Sequence, residues 1–218
     1  MPRRTKQDAL ATRQQLLEAA IAVFAEKGVS RTSLQDIAAA AGTTRGAIYW
    51  HFKNKVDLFN ALMESAILPM EQAMAQIGHD PTQDPLTELE HALLQTMCSV
   101  AGDARTRAIF EIATLKVEYV DDTLAIKARH VQAYANAMHE MRRSLQEAAL
   151  RRGITLSLPV DAAATGLHAL TAGLIHSWML APAAFDLVTV ASAAIRSFLA
   201  GLGFVATVET SRDNAYSR

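Results

Sequence analysis

Cysteine is almost missing from this 218-residue chain. Cys98 stands alone, which excludes an internal disulfide and fits a reducing compartment, the cytoplasm. Aromatic residues are sparse at 6 %, while half of the chain is hydrophobic and dominated by Ala and Leu, a balance that favours helix over strand. Long apolar runs are lacking too. The most apolar stretch, 156–185, is broken by Pro159, Asp161, His168, His176 and Pro182, so it reads as a buried helix and not as a membrane span of about twenty residues. Charge without an apolar segment behind it at the N-terminus does not have the form of a secretory leader. No glycine-rich phosphate loop, metal-spaced Cys/His cluster or nucleophile motif is found. His130 and His139, nine apart, fall on opposite faces of a helix rather than around one metal. An enzyme is not expected, nor is a cofactor or a metal.

The net charge of −1 hides an asymmetry. Residues 1–60 carry nine Lys/Arg against five Asp/Glu, and the remainder carries twelve against seventeen. A basic first unit on an acidic body is the distribution expected of a nucleic-acid binder with a separate regulatory domain. Within the basic unit, Thr32–Lys55 contains two short helices and a tight connection. Leu34, Ile37, Ala38 and Ala41 follow the spacing of one buried helical face, with Ser33 as cap and Asp36 three residues on. Gly42 ends that helix, Thr43 or Thr44 caps the next, and Ile48 and Phe52 of Arg45–Phe52 point back to the first. This is the pattern of a helix-turn-helix, whose second helix enters the major groove.

The residues left over on the second helix suit DNA. Arg45 offers a planar fork for guanine, Gly46 lets the backbone approach, and Tyr49 presents a ring edge for a thymine methyl. Thr32, Ser33, Trp50, His51 and Lys55 are expected as phosphate contacts, and Thr44, at the start of the helix, completes the expected DNA-binding set.

The rest of the chain reads as helices. One precedes the motif, from Asp8 or Ala11 to Lys27, with Leu17, Ala20, Ile21 and Phe24 inward. A fourth, Asn54–Gln76, is expected to kink at Pro69 and to be the only direct link between reader and body. Asp84 caps a fifth reaching about Val100, Asp103 a sixth to about Val117, and Asp121 or Asp122 a seventh to Arg152. Asp161–Leu180 and a helix from Asp186 to about Gly203 close the chain. Ala164, Ala169, Ala172, Gly173, Ala191, Ala194 and Ala200 make the last two suited to pairing with their symmetry mates in a homodimer. The whole is all-α with about nine helices. Residues 1–53 form the three-helix reader, 54–206 the ligand-binding and dimerisation domain, and 207–218 a polar tail. Arg3, Arg4 and Lys6 belong either to an ordinary terminus or to a phosphate-contacting arm.

The strings TRQQLLEAAIAVFAEKGVSRTSLQDIA and TTRGAIYWHFKNKVDLF resemble the DNA-binding domain of the TetR/AcrR family of transcriptional repressors. MPRRTKQDALATR and RGAIYWHF bring the chain nearest to local repressors of RND-type multidrug efflux pumps. A weaker match continues through DARTRAIFEI, VEYVDD and GLIHSWMLAP. The resemblance implies dimeric binding to double-stranded operator DNA and release by a small apolar or amphipathic effector. It also implies an apolar pocket enclosed by the fourth to eighth helices, with Phe110, Thr114 and His168 at lining positions. Met63, Met70, Met97, Tyr134, Met138 and Trp178 add flexible or stacking surface to the expected ligand set. Two other readings stand beside it: a regulator of a metabolic or signalling operon, and a small-molecule carrier with a vestigial reader.

Overall fold

The computed structural model describes residues 6–80 and 82–204. Among these the chain forms ten α-helices and no strand: α1 (Lys6–Lys27), α2 (Leu34–Ala40), α3 (Arg45–His51), α4 (Lys55–Ala66), α5 (Leu68–Gln76), α6 (Pro85–Gly102), α7 (Ala104–Leu115), α8 (Leu124–Arg152), α9 (Val160–Leu180) and α10 (Leu187–Gly201). Arg3, Arg4 and the polar tail lie outside the described residues.

Local chemistry sets most helix starts. Ser33 Oγ accepts from the Asp36 N–H while Asp36 returns a bond to the Ser33 N–H, a reciprocal capping box. Thr44, Asn54, Asp84, Asp103 and Asp186 each accept from a backbone N–H two or three residues on. The α2–α3 turn closes by a Schellman pair, Thr43 N–H to the Ala38 carbonyl at 2.9 Å and Gly42 N–H to that of Ala39 at 3.0 Å. That geometry puts Gly42 at φ +62°.

Three expectations need correction. The fourth helix is two helices meeting at Ile67, which brings the count to ten. Pro69 has no N–H for the Ser65 carbonyl. Ile67 nevertheless keeps helical dihedrals, and its own N–H still reaches the Met63 carbonyl at 2.7 Å, so the chain passes from one helix to the next without opening into a loop. Asp121 and Asp122 do not cap the long helix; they sit in a 3-10 turn, Asp121–Thr123. There the buried Thr123 hydroxyl accepts from the Val120 N–H, and the α-helix starts at Leu124. In α1, Leu16 and Val23 are buried with Leu17, Ala20 and Phe24, while Ile21 is half-buried.

Two apolar cores result. The first gathers the inner faces of α1, α2 and α3 with Leu58, Phe59, Ala61, Leu62, Met63 and Ala66 of α4. The second lies among α6, α8, α9 and α10, with Leu89, Leu93, Met97, Leu145, Leu167 and Ile195 inside. Helix α4, assigned from sequence to the second unit, therefore buries its apolar face in the first core. Helix α7 belongs to both: Ile109 and Ile112 are fully buried in the first core, and Phe110 packs on the second. Helices α9 and α10 approach so closely that a Cβ on Gly166 would lie 2.8 Å from the Phe198 ring.

Gly42 has open space around its Cα, so only backbone strain opposes a side chain there. Gly42→Ala is expected to cost about 1–2 kcal/mol of stability through the left-handed conformation alone. Urea unfolding checks this; an unchanged midpoint would mean that the turn adopts another geometry.

Candidate nucleic-acid interface

Helix α3 buries Ile48 against α1 and α2 and turns its other residues outward. Arg45, Gly46, Tyr49 and Trp50 are exposed, Trp50 at 72 %. The Arg45 guanidinium lies 5.5 Å from the Tyr49 ring centroid, so the two side chains form one stacked surface. A Cβ on Gly46 would meet nothing nearer than the Thr44 hydroxyl at 4.0 Å, which leaves that side of the helix open to close approach. His51 is half-buried, its ring set edge-on to Trp50 at 4.6 Å. Behind α3, Phe52 caps the helix and receives the Arg13 guanidinium over its ring at 5.2 Å.

Two residues of the expected set are placed differently. Thr32 is 3 % exposed and its hydroxyl donates to the Gly28 carbonyl at 2.8 Å, so its side chain faces inward. Lys55 donates from Nζ to the Ser30 carbonyl at 2.7 Å, and burial pulls its pKa down against the opposing charge of Asp122. It braces the α1–α2 loop. Ser33 and Thr44 are exposed, with their side-chain oxygens engaged as caps. Asp36 is held well below the usual carboxylate range, first by the Ser33 hydroxyl, then by Lys27 and the Ser33 N–H. The Lys27–Asp36 pair, at 2.9 Å, ties α1 to α2.

The reader is joined to the body by more than α4. At the N-terminal end of α7, Arg105 bridges Glu18 of α1 (2.8 Å) and the Ser65 hydroxyl of α4 (3.1 Å). Beyond its C-terminal end, the Lys116 carbonyl accepts from the Val29 N–H at 2.9 Å, and Glu118 accepts from the Ser30 hydroxyl at 2.9 Å. Ile109 and Ile112 fill the space between. These contacts leave no local pattern in the sequence, because the partners are 40 to 88 positions apart.

The expected ligand set is dispersed. Met63 lies in the reader core; Met97, Met138 and Trp178 lie in the body core, with the Arg107 guanidinium 4.9 Å from the Trp178 ring. Tyr134 and His168 meet edge to face at 5.0 Å, Phe110 is half-buried and Thr114 is exposed. A cleft of about 270 Å³ opens among α4, α5, α6 and α7, and of the nine residues Met70 alone lines it. Among the described residues there is no cluster of metal-ligating side chains, and no helix is long and apolar enough to cross a membrane.

Fold and site define a helix-turn-helix DNA-binding protein with a helical second domain. Residues 16–62 match the family model described as bacterial regulatory proteins, tetR family, and residues 84–204 match the C-terminal region of MAATS-type transcriptional repressors. The chain belongs to the TetR family of transcriptional regulators. It is 40 % identical to the probable transcriptional regulator ArpR of Pseudomonas putida over 187 residues, 86 % of this chain and 89 % of that protein. Among solved structures it is similar to NalD, the secondary repressor of the MexAB-OprM multidrug efflux pump in Pseudomonas aeruginosa. There the TM-score is 0.80 at 33 % identity, over 90 % of this chain and 98 % of that one. The SmeT–triclosan complex matches at TM-score 0.77 and 34 % identity, over 87 % and 90 % of the two chains. SmeT is the repressor of the Stenotrophomonas maltophilia multidrug efflux pump SmeDEF.

Burial lowers the pKa of His168, and burial followed by the Arg129 charge lowers that of His130, whose Nδ1 lies 2.7 Å from the Tyr119 hydroxyl. Both imidazoles are therefore favoured neutral in the fold, and the unfolded chain takes up these protons first. Stability should be level above about pH 6.5 and fall as the pH drops below it. The depressed carboxylates Asp36, Asp84, Asp103 and Asp186 act in the same direction but only in the window near and below pH 4. Urea midpoints at pH 7.5 and 5.5 should differ in the wild type and differ less in His168→Gln; equal midpoints in the wild type would contradict this.

Proposed function

We propose that this chain is a ligand-responsive repressor that binds a pseudo-palindromic operator as a homodimer and controls a multidrug efflux operon. The observation that carries the reading is the exposed stacked face of α3. Arg45 and Tyr49 would read base edges from the major groove, with Gly46 allowing close approach and Ser33, Thr44, Trp50 and His51 setting register on the phosphates. Lys55 serves as the brace beneath them. The efflux assignment rests on the likeness to NalD and SmeT, both repressors of such pumps.

Dimerisation is supported by the outer face of α9 and α10. Ala164 and Ala191 are buried within the protomer, whereas Ala169, Ala172, Gly173 and Ala200 stay exposed and offer a smooth, small-residue surface. A C2 pair through this face would present two copies of α3, which must sit one helical turn of DNA apart, about 34–36 Å, to enter successive major grooves. An apolar or amphipathic effector binding the body, with Phe110, Thr114, Tyr134 and His168 as candidate contacts, would release the operator if it prefers the state whose readers are wrongly spaced. SmeT was solved with triclosan, which makes that compound a first effector to try.

Fluorescence anisotropy on the DNA upstream of the chain's own gene tests the reading. Arg45→Ala is expected to weaken binding by about 1–3 kcal/mol and to relax preference at one base position. A Cβ on Gly173 would meet nothing within 4 Å in the protomer, so the expected effect of Gly173→Leu is loss of the dimer and, with it, of tight operator binding. Operator preference unchanged in Arg45→Ala, or a Gly173→Leu dimer with unchanged affinity, would sink the corresponding part.

A further inference from the structure

Helix α1 lends more than an apolar face to the reader core. It holds the two reading helices by polar grips at both ends of α2 and at the end of α3. Near its C-terminus, Lys27 pairs with Asp36 in the first turn of α2. Nearer its N-terminus, the Gln15 amide donates from Nε2 to the Ala41 carbonyl at 2.8 Å. Ala41 is the C-cap of α2, where helix carbonyls run out of intrahelical donors. Two residues earlier, the Arg13 guanidinium lies 5.2 Å from the centroid of the Phe52 ring. Phe52 is the C-cap of α3, and its N–H is bound to the Ile48 carbonyl at 2.9 Å. Helices α2 and α3 have seven residues each, too few to hold a shape alone. The burial of Ile37, Ala38 and Ile48 keeps them together, but apolar burial is non-directional. The grips of Gln15 and Arg13 have a direction.

We propose that Arg13 and Gln15 are positioning residues for operator recognition: without touching a base, they fix the angle of α3 against α2 and so the aim of Arg45 and Tyr49. The inference deepens the operator-binding reading and rests on it. A recognition helix that is aimed loosely has to be ordered when it meets DNA, and that ordering is subtracted from the affinity. Hydrogen bonds to base edges need a fixed direction, whereas attraction to phosphates is largely indifferent to it. Loss of a grip therefore weakens binding to the operator more than binding to unrelated DNA.

The test is fluorescence anisotropy of the full chain on its upstream DNA and on a scrambled duplex of equal length, with hydrogen exchange of the DNA-free chain beside it. Gln15 is exposed and Arg13 half-buried, so substitutions there leave the core intact. Gln15→Leu, which removes the donor, should weaken operator binding about fivefold and leave the scrambled duplex unchanged. Arg13→Met should weaken operator binding several-fold, and Arg13→Lys, which keeps a cation for the ring, should recover most of it. The slope of log affinity against log salt should be the same in Arg13→Met as in the wild type. A slope smaller by about one would mean that Arg13 holds a phosphate itself, and would overturn its positioning role. Without DNA, exchange in Gln15→Leu should quicken in the α2–α3 turn and α3 while α9 and α10 stay as they were. Equal losses on the two duplexes, or unchanged exchange in α3, would overturn the role of Gln15. A wild type that does not bind its upstream DNA would instead lose the repressor reading, and the exchange measurement alone would then decide whether the grip holds α3.

Discussion

The buried contact of α7 with the reader is the constraint on which the rest of the structure depends. Ile109 and Ile112 are fully buried among residues of α1 and α4, far along the chain from any of them. Burying two isoleucine side chains contributes about 1.5–3 kcal/mol each. The ion pair beside them, Arg105 with a half-exposed Glu18, adds about 0–1 kcal/mol. The isoleucines therefore supply the strength of the joint. Arg105, Lys116 and Glu118 supply its direction, by fixing both ends of α7 against specific groups of the reader.

That arrangement changes how a signal could travel. With α4 as the only connection, the reader would hang from one helix and a bend at Pro69 would control it. With α7 clamped at both ends and α4 buried in the same core, the reader and the adjoining part of the body form one packed unit. A ligand that moves the reader then has to shift α7, or loosen the Ser65–Arg105–Glu18 chain, as well as bend α4 against α5.

Much of this was legible in the sequence, for a physical reason. Helix starts are decided by groups within about four residues of one another, so Ser33 with Asp36, Thr44, Asn54, Asp84, Asp103 and Asp186 could be read directly. The outward face of α3 follows from the burial of Ile48 and Phe52, which periodicity exposes. Side-chain placement beyond the caps was less legible, because contacts from elsewhere in the chain take part in it. Lys55 looks like a phosphate contact by type but is engaged by the Ser30 carbonyl, which depends on how α4 crosses that loop, and Thr32 turns its hydroxyl back to the Gly28 carbonyl four residues earlier. The methionines are as apolar by sequence in a pocket as in a core, and Met63, Met97 and Met138 went to the cores. The joint itself was invisible, since a buried isoleucine on an amphipathic helix does not announce which neighbour it meets.

Hydrogen exchange read by mass spectrometry on Ile112→Ala tests the joint most directly. Removing the side chain should cost about 2–5 kcal/mol. If α7 belongs to the reader core, protection should fall in α1 and α4 together with α7, while α9 and α10 keep theirs. A loss of protection confined to α7 and the body helices, with α1 unchanged, would contradict it and return α4 to the role of sole connection.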